Sequence, residues 1–280
     1  MRWQRGRRSL NIEDRRGIGG PAVAAGGGIG GFILVLVAML LGIDPSFILP
    51  QGGPPPAVPP PSVGDQHEAL VDFVSVVLAD TEDTWKPLFQ EIGRPYQEPK
   101  LVLFRNQVNS ACGLAQAAVG PFYCPADQKV YIDLSFYQEL RTRHNAPGDF
   151  AQAYVIAHEI GHHVQTLLGI SQQVQRAKGR VNQRDANQLS VRQELQADCY
   201  AGIWAHHADR ARNILEAGDI EEALKAASQI GDDTLQKQAQ GYVVPDSFTH
   251  GSSAQRVRWF KRGLQTGEMN QCDTFSPPQV

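Results

Sequence analysis

Apolar positions along this chain fall into three regimes. From Ala22 to Ile43 no charged residue interrupts them, between residues 100 and 134 they come in short runs, and from about residue 149 onward they recur every three or four positions. The first regime, at about 1.5 Å rise per residue, makes a helix roughly 33 Å long, enough to cross a bilayer core. The pattern therefore predicts a transmembrane helix over 22–43. A cleaved signal peptide is the alternative, but "LLGIDPSFILP" after the apolar stretch offers no clear small-x-small cleavage site. Residues 44–64, "DPSFILPQGGPPPAVPPPSVG", are rich in proline and glycine and read as a stiff spacer. A soluble domain follows, over 65–280.

Within that domain "HEALVDFVSVVLADTEDTWKPLF" places Leu70, Phe73, Val74, Val77 and Leu78 at helical spacing. "KLVLF", "VGPFYC" and "KVYIDL" then read as strands of a small antiparallel or mixed sheet, with the 112–124 segment at or near an edge. In the third regime Phe150, Ala153, Tyr154, Ala157, Gly161, Val164 and Leu168 mark a buried stripe on one helix. Asp149 with Gln152 resembles a capping box at its start, and Gly169 suits its stop. Strands first and helices after indicate an α+β domain.

Composition changes this picture in two places. A net charge of −3 over 280 residues gives no reason to expect nucleic acid as a partner. Residues 1–21, however, carry Arg2, Arg5, Arg7, Arg8, Arg15 and Arg16. Beside an apolar span such a basic segment stays cytoplasmic, so the expectation is a single-pass protein of the inner membrane with residues 65–280 on the extracytoplasmic side. Gly26, Gly27, Gly30 and Gly31 form small-xxx-small pairs through which two such helices could dimerise. The four cysteines, Cys112, Cys124, Cys199 and Cys272, all follow the span, where an oxidising compartment favours disulfides. Cys112 with Cys124 and Cys199 with Cys272 are the preferred pairs, with four buried thiols as the alternative.

The chemistry lies in "AYVIAHEIGHHVQTLLG", residues 153–169. His158 and His162 are one helical turn apart, about 40° around the axis, so both imidazoles can reach one metal ion. Two nitrogen ligands suit Zn²⁺, and a catalytic zinc keeps one position open for water. Glu159 beside them could take a proton from that water. A third ligand is needed, and "ELQAD" supplies Glu194 and Asp198 on one face of a second helix. Glu194 is assigned as the ligand and Asp198 as the carboxylate that orients a ligating histidine through its other nitrogen. The swapped assignment stays open.

HEIGHH followed by ELQAD resembles the glutamate-liganded zincins. The wider sequence, from "MRWQRGRRSLNIEDRRG" through "SACGLAQAAVGPFYCPADQKVYIDLSFY" to "FTHGSSAQRVRWFKRG", resembles the bacterial neutral zinc metallopeptidase family. That resemblance implies a membrane-anchored protein with a zincin-like domain and peptidase activity. By analogy with related zinc peptidases His250 is preferred over Tyr154 as a donor to the tetrahedral oxyanion. Ser252, Arg256 and Arg258 organise the last helix or clamp a substrate carboxylate. The segment from Gly120 to Tyr123 could pair with an extended peptide. His163 reads as a residue of the surface or the outer shell of the metal site, and His206 as remote from the metal. Trp259 and Phe260 read as core.

The reading is thus a peptidase that hydrolyses peptide bonds outside the cytoplasm through zinc-activated water. The alternative is a catalytically weak zincin-like domain that binds a protein or cell-envelope partner.

Overall fold

The computed structural model describes residues 1–16, 64–116, 120–142 and 148–276. Among these, no helix is long and apolar enough to cross a membrane. The expected span 22–43, its glycine pairs and nearly all of the 44–64 spacer lie outside the described residues.

The first strand, β1 (Ile12–Asp14), is followed by helix α1 (Gly64–Glu91) and then by β2 (Lys100–Phe104), a hairpin of β3 (Gln107–Ser110) and β4 (Gly113–Gln116), β5 (Phe122–Cys124) and β6 (Lys129–Asp133). The remainder is helical: α2 (Ser135–Thr142), α3 (Asp149–Leu167), α4 (Ile170–Lys178), α5 (Gln183–Arg212), α6 (Asp219–Gln229), α7 (Asp232–Gln240) and α8 (Ser253–Thr266). An α+β architecture results, as the order of apolar patterns indicates.

The sheet is mixed, in the order β1-β2-β6-β5. Strands β1, β2 and β6 run parallel, and β5 pairs antiparallel to β6 at the edge. Both faces are covered, which explains why "KLVLF" is a continuous apolar run. Leu101, Leu103, Val130 and Ile132 face the helices, and Val102, Phe104 and Tyr131 pack with Val108 and Cys124 on the other side. The β3–β4 hairpin closes that second face. Its strands are short and polar, so nothing in "QVNSACGLAQ" alternates strongly enough to announce it.

Helix α3 runs through the core. Every residue from Phe150 to Gly161 is buried, which exceeds the one-sided stripe read from the sequence. Gly169 adopts a left-handed φ of 80° and ends the helix as expected. The capping box does not form. The N-cap is Gly148, without a side-chain cap, and Asp149 is turned to the α-ammonium of Met1. The same contact, with β1 as a strand of the sheet, packs residues 1–16 into this folded body. Both preferred disulfides are present, Cys112–Cys124 from the β3–β4 turn to the end of β5 and Cys199–Cys272 from α5 to the tail.

Candidate metal centre and active site

Two helices build the site, and a glycine sets how close they come. A Cβ placed on Gly161 of α3 would lie 2.9 Å from the carbonyl oxygen and 3.0 Å from the Cα of Ala197 on α5. Only a residue without a side chain allows this approach. It brings His158 and His162 within reach of Glu194 and Asp198, and the nearest ligand atoms of His158, His162 and Glu194 all lie within 4.8 Å of one another.

Hydrogen bonds fix which nitrogen of each imidazole carries a proton. His158 Nδ1 lies 2.8 Å from Asp198 Oδ1 and donates to it. Nδ1 of His162 lies 2.9 Å from Gln165 Oε1. The Gln165 amide is itself oriented, since its Nε2 donates to Gln193 O at 2.7 Å and to Gln196 Oε1 at 3.1 Å. The oxygen therefore must face His162, and His162 Nδ1 is the donor. With both Nδ1 positions protonated, each ring turns its Nε2 to Glu194: His158 Nε2 at 3.1 Å from Oε2, and His162 Nε2 at 3.4 Å from Oε1. Two such nitrogens beside a carboxylate call for positive charge, whether as protons on the rings or as a metal cation in their place. Two imidazole nitrogens and a carboxylate are a donor set that fits zinc.

The electrostatics agree. Burial disfavours a charged His158, yet the carboxylates of Asp198 and Glu194 outweigh it and push the pKa up to about 10. Burial acts against the charge of Glu194 as well, and the two imidazoles nevertheless hold its pKa well below the usual range. Glu159 is buried beside them, close enough to feel His158, His162 and Glu194; burial raises its pKa although the imidazoles oppose this.

Asp198 is fully buried and accepts four hydrogen bonds. Its donors are His158 Nδ1, the Tyr154 hydroxyl, and Nε and Nη2 of Arg256, both at 2.9 Å. Burial works against its ionisation, but Arg256 and His158 bring the pKa down to about 2. Arg256 comes from α8, which lies so close to α5 that a Cβ on Gly263 would collide with the Cys199 carbonyl. Tyr154, weighed as an oxyanion donor, is fully buried with its hydroxyl committed to Asp198. Ser252 caps α8 in a true capping box with Gln255, and Arg258 is exposed.

His250 lies within electrostatic reach of Glu194. Its Nδ1 is 3.2 Å from Asp232 Oδ1, and Asp232 Oδ2 accepts from the amides of Thr249, His250 and Gly251. One carboxylate thus shapes the whole "THG" turn and leaves Nε2 of His250 without a protein partner among the described residues. Its side chain is 40% exposed. Partial burial acts against the charged ring, but Asp232 and Glu194 raise its pKa. His163 is fully buried, its Nε2 donating to Gln97 O at 2.6 Å and its Nδ1 accepting from the Tyr123 hydroxyl at 3.1 Å. It fastens edge strand β5 to α3. His206 and His207 bind Leu264 O and Gly267 O at the far end of α8, and Trp259 and Phe260 of the same helix are buried in the main core.

Sequence reasoning missed Asp232, which stands 18 positions before His250 with no local spacing to connect them. It also missed Gln165, where a signal existed: i, i+3 from His162 on one helix face.

The family model described as "Putative neutral zinc metallopeptidase" matches residues 1–275. The chain belongs to this family. Among its relatives, "Uncharacterized protein YpfJ" of Escherichia coli (strain K12) is 50% identical over 284 residues, covering 98% of this chain and 99% of the relative. "Uncharacterized protein Rv2575" of Mycobacterium tuberculosis (strain ATCC 25618 / H37Rv) is 42% identical over 258 residues, 85% of each chain. No solved structure matches at a significant level. Family membership implies zinc, and among the described residues His158, His162 and Glu194 converge as a group whose chemistry suits it.

Proposed function

We propose that this chain is a zinc-dependent peptidase in which His158, His162 and Glu194 hold the metal. The observation that carries the reading is the pair of Nδ1 hydrogen bonds, which turns both Nε2 atoms towards the Glu194 carboxylate. A zinc ion bound there supplies Lewis acidity and lowers the pKa of a water molecule. Glu159, buried at the same place, accepts the proton of that water and passes it to the leaving amine. His250, held through Nδ1 by Asp232, donates through Nε2 to the oxyanion that develops on the substrate. Asp198 keeps the His158 ring turned to the metal and is itself kept ionised by Arg256. The open side of β5 offers backbone groups for pairing with an extended peptide, and the His163–Tyr123 contact sets the distance of that strand from the zinc helix. Two disulfides support an oxidising, extracytoplasmic compartment for the domain.

The test is cleavage of an unstructured protein by the purified full chain and by Glu159→Gln, both loaded with zinc. Equal metal content with cleavage lost in the variant supports the peptidase. Absence of cleavage in both chains supports a binding domain instead.

A further inference from the structure

Residues 1–16 are built into the domain along their whole length. The Met1 side chain is buried in the main core. Its ammonium pairs with Asp149 at the first turn of the zinc helix α3, with Asp219 at the first turn of α6, and with Glu216. Asp149, Asp219 and Glu222 would otherwise look like an acidic metal site, but this ammonium already serves two of them. The Arg2 amide donates to Ile214 O at 2.8 Å, Trp3 meets Phe73 edge to face at 5.4 Å, and the Ser9 amide donates to Ser75 O at 3.0 Å. Strand β1 then joins the sheet in register, Ile12 against Leu101 and Asp14 against Leu103.

The strap also answers charges that the domain buries. Glu82 on α1 is 1% exposed, and its carboxylate is satisfied by Arg7, Ser9 and Asn11. Arg8 pairs with Asp72, Arg15 with Glu13, and Lys129 of β6 with Glu13. Arg2, Arg7 and Arg8 thus have carboxylate partners in the domain, and Arg15 and Arg16 have theirs in the strap itself, so these arginines have a role in the fold that needs no membrane. Arg16 feels the charge of Glu68, which places the last residue before the undescribed stretch close to the first turns of α1.

We infer that residues 1–16 and 64–276 occupy the same compartment, as one folding unit, and that a single membrane crossing between them does not occur. This inference stands apart from the peptidase reading, because it uses no residue of the metal site. Assembly of the domain then waits for its own amino-terminal strap, which reaches the start of the helix carrying His158 and His162. A domain cut off before residue 64 would expose the β2 edge and leave Glu82 buried without its partners, which argues against testing activity on such a fragment.

The experiment uses the full chain in cells. Leu10→Cys, at a position 93% exposed on the strap, and Val181→Cys, 43% exposed on the domain, are treated with a membrane-impermeant thiol reagent before and after permeabilisation. The parent chain, whose cysteines are paired, gives the background. Both variants are expected to label on the same side, whichever side that is; labelling on opposite sides overturns the inference. In a second arm a protease site is inserted in the 44–64 spacer of the detergent-purified chain and cut. The strap fragment is expected to stay with the domain through gel filtration in detergent. Separation of the two pieces overturns the inference as well.

Discussion

His158 Nδ1 and Asp198 Oδ1 lie 2.8 Å apart in a site where Asp198 is fully buried, and this contact decides which way the histidine faces the metal position. The carboxylate is not alone there. Arg256 lies against its other side, so the histidine is oriented by an ion pair between two helices.

Substitution Asp198→Asn is expected to lower zinc affinity about 10- to 100-fold, the usual effect of losing a carboxylate behind a ligating histidine. Competition with a fluorescent chelator measures it. Arg256→Met leaves Asp198 charged and buried and should cost about 3–5 kcal/mol of stability. In the double variant with Asp198→Asn a large part of that loss should return in urea unfolding, because the stranded charge is gone.

Gly161→Ala tests the helix approach. The added methyl group meets backbone atoms of Ala197, so Ala197→Gly cannot rescue it. Overpacking of this kind costs about 1–3 kcal/mol. Thermal unfolding should shift down, with zinc affinity falling in parallel as α3 and α5 are pushed apart.

His163 gives a pH dependence of known sign. Burial lowers its folded pKa from 6.5 to about 4, while the hydrogen bond to Gln97 O opposes this. The unfolded chain therefore takes up the proton first. Stability from this group is complete above pH 6.5, falls as pH drops towards about 4, and is flat below; the full loss is about 3 kcal/mol. His163→Gln removes the titrating ring, so the difference in urea midpoint between the two chains should shrink over that window.

The disulfides should differ in weight. Cys199–Cys272 has a sequence separation of 73 and Cys112–Cys124 one of 12, so loop entropy assigns about 4 and about 3 kcal/mol respectively. Replacing both cysteines of each pair by serine and comparing melting temperatures checks the order.

Much of this molecule was legible because its signals are local. His158 and His162 are separated by four positions, as are Glu194 and Asp198, and helical geometry alone puts each pair on one face. "KLVLF" and "KVYIDL" are dense enough in apolar residues to announce buried strands. What failed depends on distant partners. Asp149 looked like half of a capping box because its true partner, the Met1 ammonium, is 148 positions away. β1 has three residues, two of them acidic, and gains its strand character only by lying beside β2. The partners of Arg7 and Arg8, which are Glu82, Asp83 and Asp72, belong to a helix more than 60 positions later, so no local pattern announces these pairs. Asp232 has no sequence tie to His250 at all.

The most direct test of the central claim is a crystal structure of the zinc-loaded full chain with anomalous data at the zinc edge. The account predicts one zinc peak about 2.0–2.2 Å from His158 Nε2, His162 Nε2 and a carboxylate oxygen of Glu194. A zinc-loaded crystal with no peak between those three side chains, or with the metal held by a different set of residues, would contradict it.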